Sequence, residues 1–202
     1  MPHTIIFDIG NVLISWDPRR LYNKHFATPA EADWFVTNIT HLDWNEEQDR
    51  GRPVAEATDL LVAKHPEWET EIRMYYDRWT EHFDGAIDGT VNILKELSDS
   101  GDYRLLALTN WSAELFPWAL ENFDFLQRFE HITVSGEVKM KKPNPDIYEH
   151  IRENYELGDF SGCIFIDDSV RNCAAAEALG LEAIRFENPA QLRQALSERS
   201  IL

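Results

Sequence analysis

The chain has 202 residues, 44% hydrophobic and 27% charged, the composition of a soluble globular protein with room for one core domain and an insertion. Its 36 acidic residues against 19 basic ones give a formal charge of -17, a field that repels phosphate backbones and anionic lipid surfaces and argues against nucleic acid or membrane partners. Two cysteines without metal-ligand spacing, no basic leader and no run near the roughly 20 apolar residues of a membrane span lead us to expect a reduced, cytoplasmic setting.

Thr4 to Phe7 opens as an apolar run that ends in Asp8 and breaks at Gly10. A continuous run of this kind suits a strand buried on both faces of a parallel sheet, and ligands of such sheets bind at the strands' carboxyl ends. Asp8 is then a nucleophile, a ligand for a hard cation, or simply the acid of a strand-ending turn. Helical apolar spacing follows at Pro18 to Phe26, Pro29 to Ile39, Pro53 to Lys64 and Trp68 to Phe83, with three of the prolines at first-turn positions. The segment Asp43 to Gly51 is polar with one large aromatic, Trp44, and reads as a loop able to face a ligand.

Strand and helix then alternate. Helices are expected at Gly89 to Ser98, Ser112 to Asn122, Pro145 to Asn154, Ser169 to Leu179 and Pro189 to Glu198. Strands are expected at Tyr103 to Thr109, His131 to Val134, Gly162 to Ile166 and Ala183 to Phe186. The alternation predicts an α/β fold with a parallel sheet covered on both faces, built from residues 1–14 and 85–202, and a helical insertion over residues 15–84.

Four strand ends deliver polar groups to one edge of that sheet: Asp8, Thr109 with Asn110, Lys142 before Pro143, and the pair Asp167 and Asp168. Phe7-Asp8-Ile9-Gly10-Asn11-Val12, Leu108-Thr109-Asn110, Lys142-Pro143-Asn144-Pro145-Asp146-Ile147-Tyr148 and Phe165-Ile166-Asp167-Asp168-Ser169-Val170-Arg171-Asn172 together resemble the four ordered motifs of the haloacid dehalogenase superfamily of hydrolases. The form Asp8-Ile9-Gly10-Asn11-Val12 and the segment Glu47 to Gly51 are most similar to its bacterial glucose-1-phosphate phosphatase group. The resemblance implies a Rossmann-like core with an inserted helical cap of the C1 type, and a Mg2+-dependent phosphatase acting on small phosphorylated metabolites such as sugar phosphates. A monomer or homodimer is expected.

The roles also follow from chemistry. Asp8 attacks phosphorus and leaves an aspartyl-phosphate. Lys142 supplies a point charge to the phosphoryl oxygens and Thr109 a hydroxyl donor, with backbone amides around Ile9 to Asn11 and Asn110 as helpers, so that Asn11 and Asn110 are candidate substrate-binding residues. Asp8, the Gly10 carbonyl and Asp168 offer the oxygens magnesium prefers, while Asp167 orients a water or shares in coordination. Trp44, Trp111 and Trp16, with Asn45, Glu46 and Asp49, are candidates for the leaving group's contacts.

Gly10 departs from the pattern. Phosphatases of the superfamily mostly carry a second Asp there, which protonates the leaving alkoxide, and His41 or His25 of the insertion are candidate replacements. Two other readings stand beside the phosphatase: a 2-haloacid dehalogenase, which needs neither metal nor proton donor, and a non-catalytic phospholigand-binding member of the superfamily.

Overall fold

Residues 4–202 are described in the computed structural model. The chain begins with β1 (Thr4–Phe7), turns sharply, and forms β2 (Ile14–Trp16). Five helices follow: α1 (Arg19–His25), α2 (Pro29–Asn38), α3 (Leu42–Asp49), α4 (Val54–Lys64) and α5 (Glu69–Asp77). β3 (Phe83–Ala86) then pairs antiparallel with β2, so a two-stranded ribbon carries the chain out to the helices and back. Beyond it come α6 (Asp88–Ser100), β4 (Arg104–Thr109), α7 (Phe116–Asn122), β5 (His131–Val134), α8 (Ser135–Val138) and α9 (Pro145–Asn154). β6 (Cys163–Asp167), α10 (Val170–Ala178), β7 (Glu182–Arg185) and α11 (Pro189–Glu198) complete the fold.

The sheet is parallel throughout, in the order β5-β4-β1-β6-β7, with β1 at its centre. All four residues of β1 are buried, as a strand covered on both faces requires. Ile5 and Phe7 join the apolar cluster on one face with Leu105, Ile164 and Leu94, whereas Ile6 joins Leu106, Phe165 and Ile147 on the other. Phe7 pairs with Ala107 and Ile166, so the next residues of the three strands reach the same edge together. A third cluster, with Leu21, Tyr22, Phe35, Trp44, Leu61 and Tyr75, gives the helical insertion an apolar core of its own. Both cysteines are buried and unpaired, and among the described residues no helix is long and apolar enough to cross a membrane.

Three local expectations are corrected. The segment 43–51 is mostly helix rather than loop, because α3 buries a polar face. Glu46 and Gln48 point inward to ionic and hydrogen-bonding partners, and only Trp44 supplies apolar burial, so the usual hydrophobic period is missing. The helix expected from Trp68 to Phe83 stops at Asp77. A 3-10 turn over Trp79–His82 follows, and Trp79 and Phe83 leave the insertion to pack on Trp111 and Trp118 of the core. The helix expected from Ser112 begins only at Phe116, since Trp111 is held by α8: its N–H donates to the Ser135 hydroxyl at 2.9 Å and its carbonyl accepts from Gly136 N–H at 3.1 Å.

That last contact requires glycine. A Cβ at Gly136 would lie 2.4 Å from Ala113 N and 2.8 Å from Trp111 O, backbone atoms with little freedom to move. Gly136→Ala is therefore expected to cost about 1–3 kcal/mol in urea denaturation. A change below about 0.5 kcal/mol would mean that the loop 111–115 is not held as described.

Candidate active site

Asp8 follows β1 and is only 7% exposed. Its Oδ1 accepts from the Ile9 N–H at 2.7 Å and pairs with Lys142 Nζ at 2.9 Å, while Oδ2 has no protein partner among the described residues. Lys142 is 1% exposed, and its ammonium is fully used. Besides Asp8 it binds Asp167 Oδ2 at 2.7 Å and the Leu108 carbonyl at 2.9 Å, three acceptors for three protons. Asn110 holds the lysine's backbone, accepting its N–H at 2.8 Å and donating to its carbonyl at 2.9 Å. Asp167 accepts from Lys142, from Ser169 N–H at 2.8 Å and from the Asn172 amide at 3.0 and 3.1 Å.

The electrostatics of this cluster lack positive charge. Burial pulls the Lys142 ammonium down, but Asp167 and Asp8 outweigh it and the net shift is upward. Burial pushes Asp8 well above the usual carboxylate range; Lys142 opposes this, and Asp167 and Asp168 add to it. Asp168, half-buried where it lines the cavity, is also raised, by burial and then by Asp167. Oxygens of Asp8, Asp167 and Asp168 lie within 4.8 Å of one another. One ammonium does not neutralise three carboxylates, and an all-oxygen donor set of this kind fits a hard divalent cation. The Thr109 hydroxyl at the end of β4 is buried without a partner, a rare state that a ligand oxygen would relieve.

Above the cluster lies a cavity of about 250 Å³ between core and insertion. Gly10, Asn11, Asn110 and Asp168 form its floor, and Trp16, Trp79, Phe83 and Trp111 form aromatic walls, with Asn45, Asp49, Tyr75, Tyr76 and His82 facing them from the insertion. Trp111 stacks on Phe83 at 5.5 Å, so both packing and cavity lining fall to it. Trp44 does not reach the cavity. Its ring packs edge-on to Tyr75 and its indole N–H donates to the Ala57 carbonyl at 3.2 Å, inside the helical core. Glu46 is no free contact either. It pairs with Lys141 and, at 2.8 Å, with Arg171, tying α3 to the core; burial raises it, but the two cations bring it below its ordinary range.

Other candidates are already engaged. Asn11 adopts φ 55°, and its Oδ1 accepts the Trp16 N–H at 2.9 Å, so it shapes the turn into β2. The Asn11 and Ile9 amides donate to Ile14 O and to Asp8, and Asn110 spends its amide on Lys142. His41 caps α3 through Nδ1, His25 pairs with Glu71 at 3.0 Å, and neither lines the cavity. Tyr75, Tyr76, Trp79, His82 and Phe83 were not anticipated as cavity residues, because a single helix through 68–83 would have hidden the break that aims them inward. The density of aromatic residues there, four of nine from Tyr75 to Phe83 counting only Tyr, Trp and Phe, was the available signal.

Comparison with known proteins places these features in a family. The sequence pattern described as haloacid dehalogenase-like hydrolase matches residues 2–180. The drimenol cyclase drtB of Aspergillus calidoustus is 22% identical over 200 residues, which cover 98% of this chain but 36% of that protein, so the chain spans about a third of its length. A HAD family enzyme from Bacteroides thetaiotaomicron, solved with magnesium and inorganic phosphate, superposes with a TM-score of 0.67 at 22% identity, over 93% of this chain and 96% of that one. The L-2-haloacid dehalogenase of Xanthobacter autotrophicus, with chloropropionic acid covalently bound, gives 0.64 at 14% identity, over 100% and 85%. Both structures share the fold.

Lys142 is the only cation touching Asp8 and Asp167 among the described residues. Lys142→Met in the presence of chelator is expected to destabilise by about 3–5 kcal/mol, the usual consequence of removing one partner from a buried ionic cluster. Added magnesium should recover more stability in the variant than in the wild type, because it would restore positive charge where the lysine's is gone. A loss under about 1 kcal/mol would show that the carboxylates do not depend on this ammonium.

Proposed function

The chain belongs to the haloacid dehalogenase-like hydrolase family, and on that premise we propose that it is a magnesium-dependent phosphatase of small phosphorylated metabolites such as sugar phosphates. The observation that carries this reading is the excess of carboxylate over ammonium around Asp8. Asp8, Asp168 and the Gly10 carbonyl would hold the cation, while Asp167, its oxygens already engaged, fixes Lys142 beside them. A bound magnesium ion supplies the missing positive charge and keeps Asp8 ionised. The magnesium and phosphate bound by the Bacteroides enzyme support the same assignment.

Asp8 Oδ2, free of protein partners, attacks phosphorus, and the bond to the leaving oxygen breaks as an aspartyl-phosphate forms. Lys142 keeps the carboxylate aimed and offsets the charge that the incoming phosphate brings. The Thr109 hydroxyl, lacking any protein acceptor, donates to a phosphoryl oxygen. Water then attacks the aspartyl-phosphate and restores Asp8. The helical insertion acts as the cap: Glu46 clamps it to Lys141 and Arg171, and its aromatic residues close the wall where the leaving group sits. A cavity of about 250 Å³ with flat apolar walls suits one sugar ring, whose C–H faces stack on indole.

The dehalogenase reading has one observation in its favour. A cavity walled by Trp16, Trp79, Phe83 and Trp111 would accept an apolar haloalkanoate, and Gly10 would cost that reaction nothing. Against it stand Asp167 and Asp168, which repel both the halide and the acid's carboxylate.

A panel of phosphomonoesters and 2-haloacids, each with magnesium and with chelator, separates the readings. Phosphate release that needs magnesium is expected, and Asp168→Ala should raise the magnesium requirement at least tenfold, about 1.4 kcal/mol. Halide release that survives chelation would transfer the assignment to the dehalogenases, and silence on every substrate would leave a binding protein.

A further inference from the structure

Gly10 leaves the departing oxygen without a proton donor beside the nucleophile, although the backbone does not demand glycine there. Its φ is not positive and a Cβ would meet nothing within 4 Å. The cavity has a carboxyl on its opposite wall. Resting on the phosphatase reading above, we propose that Asp49, at the carboxyl end of α3, protonates the leaving oxygen and then serves as base for the water that releases phosphate.

Placement comes first. Asp49 lines the same cavity as Gly10, Asn110 and Asp168, but from the insertion. It is held there by the core as well as by its own helix. The Ser135 hydroxyl donates to its carbonyl, and the Ser112 backbone N–H donates to its carboxyl. Asn45 Nδ2 donates to Asp49 Oδ2 at 3.2 Å, and the Tyr75 and Tyr76 hydroxyls donate to Asn45 Oδ1 at 3.2 and 3.1 Å.

Charge comes second. No cation pairs with Asp49 among the described residues, since Lys141 is taken by Glu46 and Lys142 by Asp8 and Asp167. The titratable groups around it are Glu46 on its own helix, Lys141 and Lys142 on the loop before α9, Tyr75 and Tyr76 on α5, His82, and Asp168 and Arg171 across the cavity. Burial pushes the Asp49 carboxyl up to about 7, with Glu46 adding to the effect and Lys141, Lys142 and Ser112 opposing it. Its place at a helix carboxyl end, where the helix dipole disfavours negative charge, works in the same direction. A carboxyl that titrates near neutrality is what an acid and base working in alternation requires. The other titratable groups of that wall are unsuited: burial raises the Tyr75 and Tyr76 hydroxyls far above neutrality and brings His82 down to about 3, so its imidazole is neutral and its two nitrogens are without partners.

The steps balance. Asp8 carboxylate bonds to phosphorus, the phosphorus–oxygen bond to the leaving group breaks, and the electron pair on that oxygen takes the Asp49 proton, leaving Asp49 as carboxylate. Water then bonds to the phosphorus of the aspartyl-phosphate and gives one proton to Asp49, while the bond to Asp8 breaks. Alcohol and hydrogen phosphate depart, and both carboxyl groups return to their first states.

The test uses the full-length, magnesium-saturated protein with an alkyl phosphate and with p-nitrophenyl phosphate, whose leaving group needs no proton. Asp49→Asn keeps the acceptor oxygen for Ser112 and is expected to lower kcat/KM for the alkyl ester by about 10² to 10⁴-fold, to affect attack on the aryl ester far less, and to accumulate phosphorylated protein. In the wild type, kcat/KM for the alkyl ester should fall as pH rises through about 7, where Asp49 loses its proton. The variant should lack that limb, and Asp49→Glu should regain part of both rate and limb. A merely structural role would reduce both substrates equally and leave the pH profile in place. Equal losses on the two esters, or an unchanged limb in a variant with native melting temperature, overturns the assignment of Asp49 alone. If Asp49→Asn melts early, the limb and the leaving-group ratio of Asp49→Glu decide in the same way. No phosphate release by the wild type from either ester overturns the phosphatase reading, and this inference with it.

Discussion

The ammonium of Lys142, shared between Asp8 and Asp167 at a buried strand edge, is the interaction on which the site depends. Each carboxylate comes from a different strand, β1 or β6, and the third acceptor is a carbonyl of β4, so one cation joins the three central strands of the sheet at their carboxyl ends. A buried cluster of this kind is weak evidence for stability in general. Here it fixes geometry. Asn110 locks the lysine's backbone, Asn172 and Ser169 lock Asp167, and Asp8 is left with one constrained oxygen and one free one. On the proposed reading the arrangement would orient Asp8 as nucleophile, and it leaves the surroundings short of positive charge, which a hard dication would supply.

The helical insertion adds what the sheet lacks. A floor of carboxylates, a lysine and a hydroxyl can grip phosphate and cation but cannot recognise a leaving group. On the proposed reading recognition would fall to the aromatic wall from Tyr75 to Phe83 and to Trp111, which belongs to the core but stacks on Phe83 of the ribbon. Glu46, bound to Lys141 and Arg171, keeps the wall against the floor. This link also explains why α3 is polar along its buried side, and why its carboxyl end can bring Asp49 to the cavity.

Much of this was legible in the sequence, and the failures have physical causes. Continuous apolar runs such as Ile5 to Phe7 and Leu105 to Leu108 reveal buried parallel strands, and their register then carries Asp8, Asn110, Asp167 and Asp168 to one edge. α3 escaped because hydrophobic period finds helices with apolar faces, whereas α3 packs through Glu46 and Gln48. Trp44 invited a ligand-contact reading because a lone tryptophan in a polar stretch resembles an exposed loop residue; inside a helix it is the apolar anchor. Asn110 has the donor a substrate would want, but the backbone of Lys142 claims its side chain first, and the turn after β1 claims the Asn11 Oδ1. Pairings of that kind cannot be read from residue type or spacing.

On the proposed reading Asp8, oriented by Lys142, forms a covalent phosphoryl intermediate. This is tested most directly by quenching the magnesium-loaded wild-type protein during turnover of a phosphomonoester, reducing the acyl phosphate with borohydride, and locating the modified residue by mass spectrometry. Reduction of Asp8 to homoserine, dependent on both substrate and magnesium, is expected. Modification at another carboxylate, or unmodified Asp8 in a protein that is releasing phosphate, would contradict it.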